Sequence, residues 1–210
     1  MTCRDDPYRR TARIYDRVFE PLNAGLRRAA TKTINPQPGW RVLDVGCGTG
    51  TGLVPYREAG CDITGVDVSP AMLQRARDRL GTAVELRLTD GSGLPFPDSH
   101  FDLVTATLVL HEVPLTERGH FLAEMARVAA PDGRVAVVDF RFGSNRGWKG
   151  PVIRWITAAV ERMSGHYDGY RSFKAGGGVG PLLEGANLLV AQEKIVAGGN
   201  LAAYVAVAAG

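Results

Sequence analysis

Apolar and polar positions follow two different rhythms along this chain. Residues 7–34 keep the helical one. Tyr8, Tyr15, Phe19, Leu22, Leu26 and Ala29 recur at spacings of three, four and seven, which places them on one face. Arginines take much of the other face. Pro21 offers no amide donor and clashes with the preceding turn, so two helices joined near Glu20-Pro21 are predicted. Asn35-Pro36-Gln37-Pro38-Gly39 closes the segment. From residue 41 onward, short apolar runs alternate with helical stretches. Strands are predicted at about 41–46, 62–67, 84–89, 101–107 and 134–140. Helices are predicted at about 51–59, from Ser69-Pro70 to Leu80, and at about 116–130. Ser69 suits the cap and Pro70 the first helical position, while Gly60 and Gly81 act as stops. Regular strand–helix alternation implies an α/β fold with a parallel, doubly wound sheet. The rhythm breaks after residue 140. One helix is expected at about 149–163, then a Gly-, Tyr- and Arg-rich stretch ending in glycines 176–178. Two last strands, about 187–196 and 200–208, are joined by Gly198-Gly199-Asn200, a link tight enough to require an antiparallel hairpin.

The first strand carries the chemistry. Val42-Leu43-Asp44-Val45 runs into Gly46-Cys47-Gly48-Thr49-Gly50, and the second strand ends in Asp67. Glycines after a strand let the backbone turn sharply and approach a ligand. An acid about 20 residues further on suits a ribose diol, because a carboxylate accepts both hydroxyl protons. The dinucleotide spacing G-x-G-x-x-G fails in both registers, since its third glycine falls on Thr51 or Leu53. No Gly-Lys-Ser/Thr follows, which excludes a P-loop. The pattern present is Asp-x-Gly-x-Gly-x-Gly. It resembles the first motif of class I, Rossmann-like S-adenosylmethionine (SAM) methyltransferases. The resemblance continues, in order, through Val66-Asp67-Val68-Ser69-Pro70-Ala71-Met72-Leu73, Leu88-Thr89-Asp90-Gly91, Leu94-Pro95-Phe96, Phe101-Asp102-Leu103-Val104 and Pro131-Asp132-Gly133-Arg134-Val135. It covers about residues 40 to 140.

That resemblance implies a seven-stranded, mostly parallel sheet with an antiparallel last strand, N-terminal helices, and a cap between strands 5 and 6. It divides the chain into an N-terminal helical segment, 1–35, covering the site, and a SAM-binding domain, 36–210, with a substrate-cap insertion at about 141–185. By the same resemblance Asp44, Gly46, Gly48 and Gly50 form the loop under the methionine part of SAM, with Cys47 contributing its amide. Asp67 takes the ribose, Val68 and Met72 lie beside the adenine, and Asp90, Gly91 and Ser92 lie near its amino group. The thiol of Cys47 is expected as a small filler rather than a nucleophile. Thr107 follows strand 4 at the reactive end. His111 is the best-placed titratable group there and is expected, with Tyr15, in a catalytic role; many relatives carry a structural histidine at this place. Tyr8, Tyr167, Tyr170 and Arg171 are expected to contact substrate. For Tyr8 and Tyr15 the competing reading is helix packing; for the tyrosines and arginine of 167–171 it is a surface loop. No residues are expected to hold a metal.

Charge changes the picture of the acceptor. Residues 1–34 hold eight basic and four acidic residues, and residues 141–175 hold seven and two. With a net charge of +3 overall, the remainder is acidic. A basic amphipathic helix is a device for lying on anionic membrane surfaces, although a solvated face reads the same way. Tyr15-Asp16-x-x-Phe19, Tyr170-Arg171-Ser172-Phe173 and Ala197-Gly198-Gly199-Asn200 are similar to bacterial phosphatidylethanolamine N-methyltransferases and to ubiquinone/menaquinone C-methyltransferases. The expected function is therefore SAM-dependent methylation of a lipid-like acceptor, with a phospholipid headgroup amine placed first. C-methylation of a polyprenyl quinone precursor, methylation of a soluble small molecule, and non-catalytic SAM binding are the alternatives. Motifs for nucleic-acid amino groups and cytosine C5 are missing, so no nucleic-acid partner is expected. Cys3, Cys47 and Cys61 lack metal-ligand spacing, and no apolar run approaches a membrane span of ~20 residues. A cytoplasmic protein with reduced thiols, in peripheral contact with the inner face of a membrane, is the expectation.

Overall fold

A computed structural model describes residues 25, 27–143 and 167–209, with the side chain of Tyr167 also outside the description. Strands β1 (Arg41–Val45), β2 (Asp62–Asp67), β3 (Glu85–Leu88), β4 (Phe101–Thr107), β5 (Ala129–Phe140), β6 (Leu188–Val196) and β7 (Leu201–Ala208) form one sheet in the order β3-β2-β1-β4-β5-β7-β6. β1 pairs in parallel with β2 and β4, β2 with β3, and β4 with β5. β7 runs antiparallel to both β5 and β6, as the hairpin signal required. Helices are α1 (Val54–Glu58), α2 (Pro70–Leu80), α3 (Arg118–Val128), α4 (Tyr167–Ala175) and α5 (Val179–Gly185).

Side chains alternate across a strand, so each central strand feeds two cores. Val42 and Leu103 point to one face and pack with Leu53, Tyr56, Leu73 and Leu80 of the α1–α2 layer. Leu43, Val104, Val135 and Val137 point to the other, against Leu122, Met125 and Val128 of α3, Phe173 of α4 and Leu183 of α5. The strands buried on both faces are the ones read as near-continuous apolar runs. Residues 27–34 are helical, with Ile34 packed among the first set and Ala30 beside Val138 and Ala203. The remainder of the predicted 7–34 pair, and the helix predicted at 149–163, lie outside the described residues.

Two boundaries differ from the sequence reading. The helix expected over 51–59 begins at Val54, because Thr49–Leu53 is taken up by turns. β5 starts at Ala129 rather than 134, directly after α3. Ala129 pairs with Phe101, and a register shift before the Leu103–Arg134 pair absorbs the extra residues around Pro131. A bulge is where a strand tolerates proline. A larger difference concerns residues 167–185. In place of an irregular polar stretch, two short helices flank the glycine run, and Tyr170 and Phe173, one helical turn apart, enter the core.

Candidate cofactor and acceptor site

The chain leaves β1 toward β2 and β3, then returns to place β4 on the other side of β1. Such a reversal opens a crevice at the carboxyl ends of the strands. A cavity of about 330 Å³ lies there. β1 to β3 and the turns after them contribute Val45, Gly46, Gly48, Asp67, Val68, Met72 and Thr89 to Gly91, the first end; the segment after β4 and α3 contribute Thr107 to Val109, Glu112 to Pro114, Glu117, Phe121 and Glu124, the second.

At the first end the backbone is held open for a ligand. Gly46 and Gly48 have φ of 72° and 54°, where L side chains are strained. A Cβ on Gly46 would stand 2.6 Å from Val109, whereas one on Gly48 would meet open space in the cavity. Gly50 turns away instead, since a Cβ there would meet Leu80 and Ala76 of α2. Asp67 is 8% exposed. Its Oδ2 accepts from the Gly48 amide and its Oδ1 from the Ser69 amide, both at 2.8 Å. Those two bonds fix the orientation of the carboxylate. Ser69 caps α2 by accepting from the Met72 amide at 3.1 Å. Asp90 is exposed on the rim, and Ser92 donates to it from both amide and hydroxyl, which holds its carboxyl below the ordinary range.

Asp44 lies beneath this loop, 3% exposed. Its Oδ1 is buried without a hydrogen-bond partner. Burial pushes its carboxyl up to about 7; Arg27 opposes that and Asp67 adds to it. Cys47 is buried too. Burial first, and the negative charges of Asp44 and Asp67 after it, raise its thiol well above the usual value. It is a packed thiol.

The second end is built over longer distances. Leu108 has φ of 57°, uncommon for a branched side chain, and its amide donates to Val138 at 2.7 Å. His120 Nε2 lies 2.8 Å from the Ser92 carbonyl, which ties α3 to the rim loop. Glu124 accepts from the Leu94 amide and from Arg127, and Arg127 holds its carboxyl down at about 2.

The cavity thus collects Gly46, Gly48, Asp67, Val68, Met72, Asp90, Gly91 and Thr107. Asp44, Cys47, Gly50 and Ser92 stand behind its lining. His111 does not face it: the ring is 3% exposed, with Nδ1 2.8 Å from Asp139 Oδ1 and Phe140 at 4.6 Å. Tyr170 is a correction, being 6% exposed and stacked edge-on against Phe140 and Phe142. Once 167–175 coils, the spacing to Phe173 drives this aromatic inward. Arg171 is exposed on α4, away from the lining. Tyr8 and Tyr15 lie outside the described residues. The sequence reading passed over Val109, Glu112, Val113, Pro114, Glu117 and Phe121. The available signal was position, because they follow the strand that returns beside β1.

These groups fit SAM. Gly48 leaves room where a side chain would intrude, Asp67 is oriented for a diol, and Asp44 keeps an unsatisfied buried oxygen under the loop. Residues 43–137 match the family described as a methyltransferase domain. Those residues are thus similar to a SAM-dependent methyltransferase domain, and the sheet order and the crevice cavity are those of the class I, Rossmann-like fold. Among curated proteins, the chain is 40% identical over 139 residues to the demethylmenaquinone methyltransferase of Tropheryma whipplei (strain Twist), covering 63% of this chain and 57% of that protein. It is 38% identical over 136 residues to a ubiquinone/menaquinone biosynthesis C-methyltransferase of Burkholderia mallei (strain SAVP1), covering 60% and 55%. The chain thus spans somewhat more than half the length of these relatives. Among solved structures, a SAM-dependent methyltransferase from Aquifex aeolicus superposes with a TM-score of 0.58 at 24% identity, over 86% of this chain and 88% of that one. That likeness concerns the fold. Among the described residues, no helix is long and apolar enough to cross a membrane.

Proposed function

We propose that this protein transfers the methyl group of SAM to a ring carbon of a polyprenyl hydroquinone precursor. The carrying observation is one cavity whose Asp67–Gly48 end suits the adenosyl donor and whose other end is walled by Leu94, Val109, Val113, Pro114 and Phe121. SAM supplies an electrophilic methyl on a sulfonium. The protein's part is to align a nucleophile and exclude water. An apolar wall suits a flat, uncharged ring. The names of the two quinone-related relatives favour the same acceptor, so the quinone reading now stands ahead of the phospholipid amine. The amine remains the second reading because Glu112 and Glu117 line the acceptor end, and carboxylates suit an ammonium group.

The test offers labelled SAM with 2-demethyl-1,4-naphthoquinol, with phosphatidylethanolamine vesicles, or with ethanolamine, and follows the label by mass spectrometry. Methylated naphthoquinol is the expected product. Label appearing in the phospholipid alone would replace the first reading with the second. S-adenosylhomocysteine binding with no transfer to any acceptor would favour a non-catalytic SAM-binding protein. Reversible adsorption of the basic segment 7–34 to anionic vesicles, weakened by salt, belongs to this proposal as the route to a membrane-dissolved acceptor.

A further inference from the structure

We infer that Glu112 is the group that takes the proton from the methyl acceptor, and that His111 and Asp139 hold it in place and share the charge from below. This rests on the methyl-transfer reading. Glu112 lines the acceptor end of the cavity and His111 does not. The two side chains approach one another, with His111 Nε2 3.9 Å from Glu112 Oε1. On the far side, His111 Nδ1 lies 2.8 Å from Asp139 Oδ1. Asp139 is fully buried and accepts also from the amides of Phe140, at 2.7 Å, and His111, at 3.2 Å. With Asp139 Oδ1 as the acceptor, Nδ1 is the ring nitrogen that donates, and the Nε2 lone pair is turned toward Glu112.

The backbone around Glu112 is fixed to match. Arg118, 1% exposed, donates to the carbonyls of His111 and Val113, the residues on either side of Glu112. It also donates to Gly169 O at 3.1 Å and Ser172 Oγ at 3.0 Å on α4, and its guanidinium lies 5.0 Å from the Phe173 ring centre. Gly169 presses on the same place, where a Cβ would stand 2.7 Å from the His111 carbonyl oxygen. Among the described residues, the charged or titratable groups facing the pair include Asp139 from β5 and Arg118 from α3, and Glu117 and His120 line the same cavity as Glu112. Ser172 and Phe173 close it from α4.

With a hydroquinone, the hydroxyl proton passes to Glu112 and on to His111 Nε2. The electron pair released into the ring forms the new carbon–methyl bond. The carbon–sulfur bond breaks with its pair going to sulfur, which becomes a neutral thioether. The methylated carbon then gives its hydrogen to water as a proton while the stored proton returns to the ring oxygen, so one proton is released in all. Between these events the imidazolium rests between two carboxylates.

Two measurements on the full chain decide the matter. Glu112→Gln is expected to lower kcat on 2-demethyl-1,4-naphthoquinol by about 10²-fold and to abolish its fall on the acid side, with S-adenosylhomocysteine affinity within about threefold of wild type. In ligand-free protein, the ring nitrogen signals of His111 are expected in the Nδ1–H tautomer, and Glu112→Gln should lower its titration midpoint by about half a unit or more. Full turnover by Glu112→Gln, or an unmoved His111 titration, overturns the inference. If the naphthoquinol is never methylated while the His111 shift is present, the acceptor reading fails and the proton-sharing pair stands.

Discussion

The two banks of the cavity are held together over different sequence distances. On the β1–β2 bank, Asp67 binds the Ser69 amide two residues on and the Gly48 amide nineteen back, and Ser69 caps Met72 three residues on. On the β4–β5 bank, His111 depends on Asp139, 28 residues away, and Arg118 reaches Gly169 and Ser172, 51 and 54 away. The first bank falls wholly inside residues 43–137, the stretch that matches the methyltransferase domain family. The second recruits α4 from outside it. Among the described residues, the bonds cited for the first bank join near neighbours in sequence, whereas those of the second depend on how a distant helix docks. Perturbing one bank tests whether the other responds.

Arg118→Met should have the largest effect. It removes the guanidinium bonds to the carbonyls of His111, Val113 and Gly169, the last of which keeps the Ser172 hydroxyl as a donor, and it removes a cation that interacts with Asp139. Orphaned buried groups cost about 1–3 kcal/mol each and are not additive, so a loss of about 3 kcal/mol is expected. For a chain of this size that is about 6–12 °C in Tm. Calorimetric S-adenosylhomocysteine affinity should stay within about threefold, because Arg118 touches nothing on the β1–β2 bank. An equal collapse of nucleotide affinity would show that the banks are one unit.

The same contrast explains what the sequence disclosed. Asp44, the glycines and Asp67 were legible because strand, turn and acid follow one another at fixed spacing. The alternation of strands and helices was legible for the same reason, as was the terminal hairpin. Tyr170 was misplaced because its burial depends on Phe140 and Phe142, which no local pattern links to it. His111 was found, but its direction was not, because Asp139 turns the ring inward and nothing near residue 111 announces that partner. Glu112, which lines the cavity beside it, carries no motif of its own in the sequence. Arg118 opens a helix whose amphipathic pattern makes an arginine look like surface, although it is 1% exposed.

Asp67→Ala attacks the local bank. It removes a charged acceptor for the ribose, worth roughly 1.5–3 kcal/mol, so S-adenosylhomocysteine affinity should fall about 10- to 150-fold. Some stability is lost as well, since the Gly48 and Ser69 amides lose their acceptor. The ring signals of His111 should not move. Unchanged affinity would remove Asp67 from the cofactor site.

Asp44→Asn tests the carboxyl under the loop and should separate stability from binding. Its folded value of about 7 lies above the ordinary one of 3.8. The unfolded chain therefore releases this proton first. The stability it contributes is complete below pH ~4 and is lost as pH rises through about 7. Asn carries no charge, so at pH 8 the ligand-free variant should be more stable than wild type, by about 1–2 kcal/mol, and its stability should vary less between pH 4 and 7. SAM affinity at pH 8 should weaken by about tenfold, because the ionised carboxylate that attracts the cationic donor is gone. Denaturant titrations at pH 5 and pH 8 check the sign. A variant less stable at pH 8 would show that Asp44 is ionised and satisfied in the free protein.

Ser69→Ala should produce the smallest change and the sharpest localisation. The hydroxyl accepts from the Met72 amide at 3.1 Å and is 1% exposed at residue level, so its loss costs about 1 kcal/mol as a missing helix cap. The Ser69 amide still donates to Asp67, because that bond uses backbone alone. Asp67 thus keeps its orientation while the first turn of α2 loosens beside Met72, which lines the cavity. S-adenosylhomocysteine affinity should fall by less than about threefold and Tm by about 2–4 °C, and Ser69→Thr should restore most of both. If Ser69→Ala instead weakens the nucleotide as much as Asp67→Ala does, the helix end itself, and not the fixed carboxylate, organises the donor bank. The bank would then be a cooperative unit of turn and helix, and the contrast with the long-range acceptor bank would narrow to a difference in sequence distance alone.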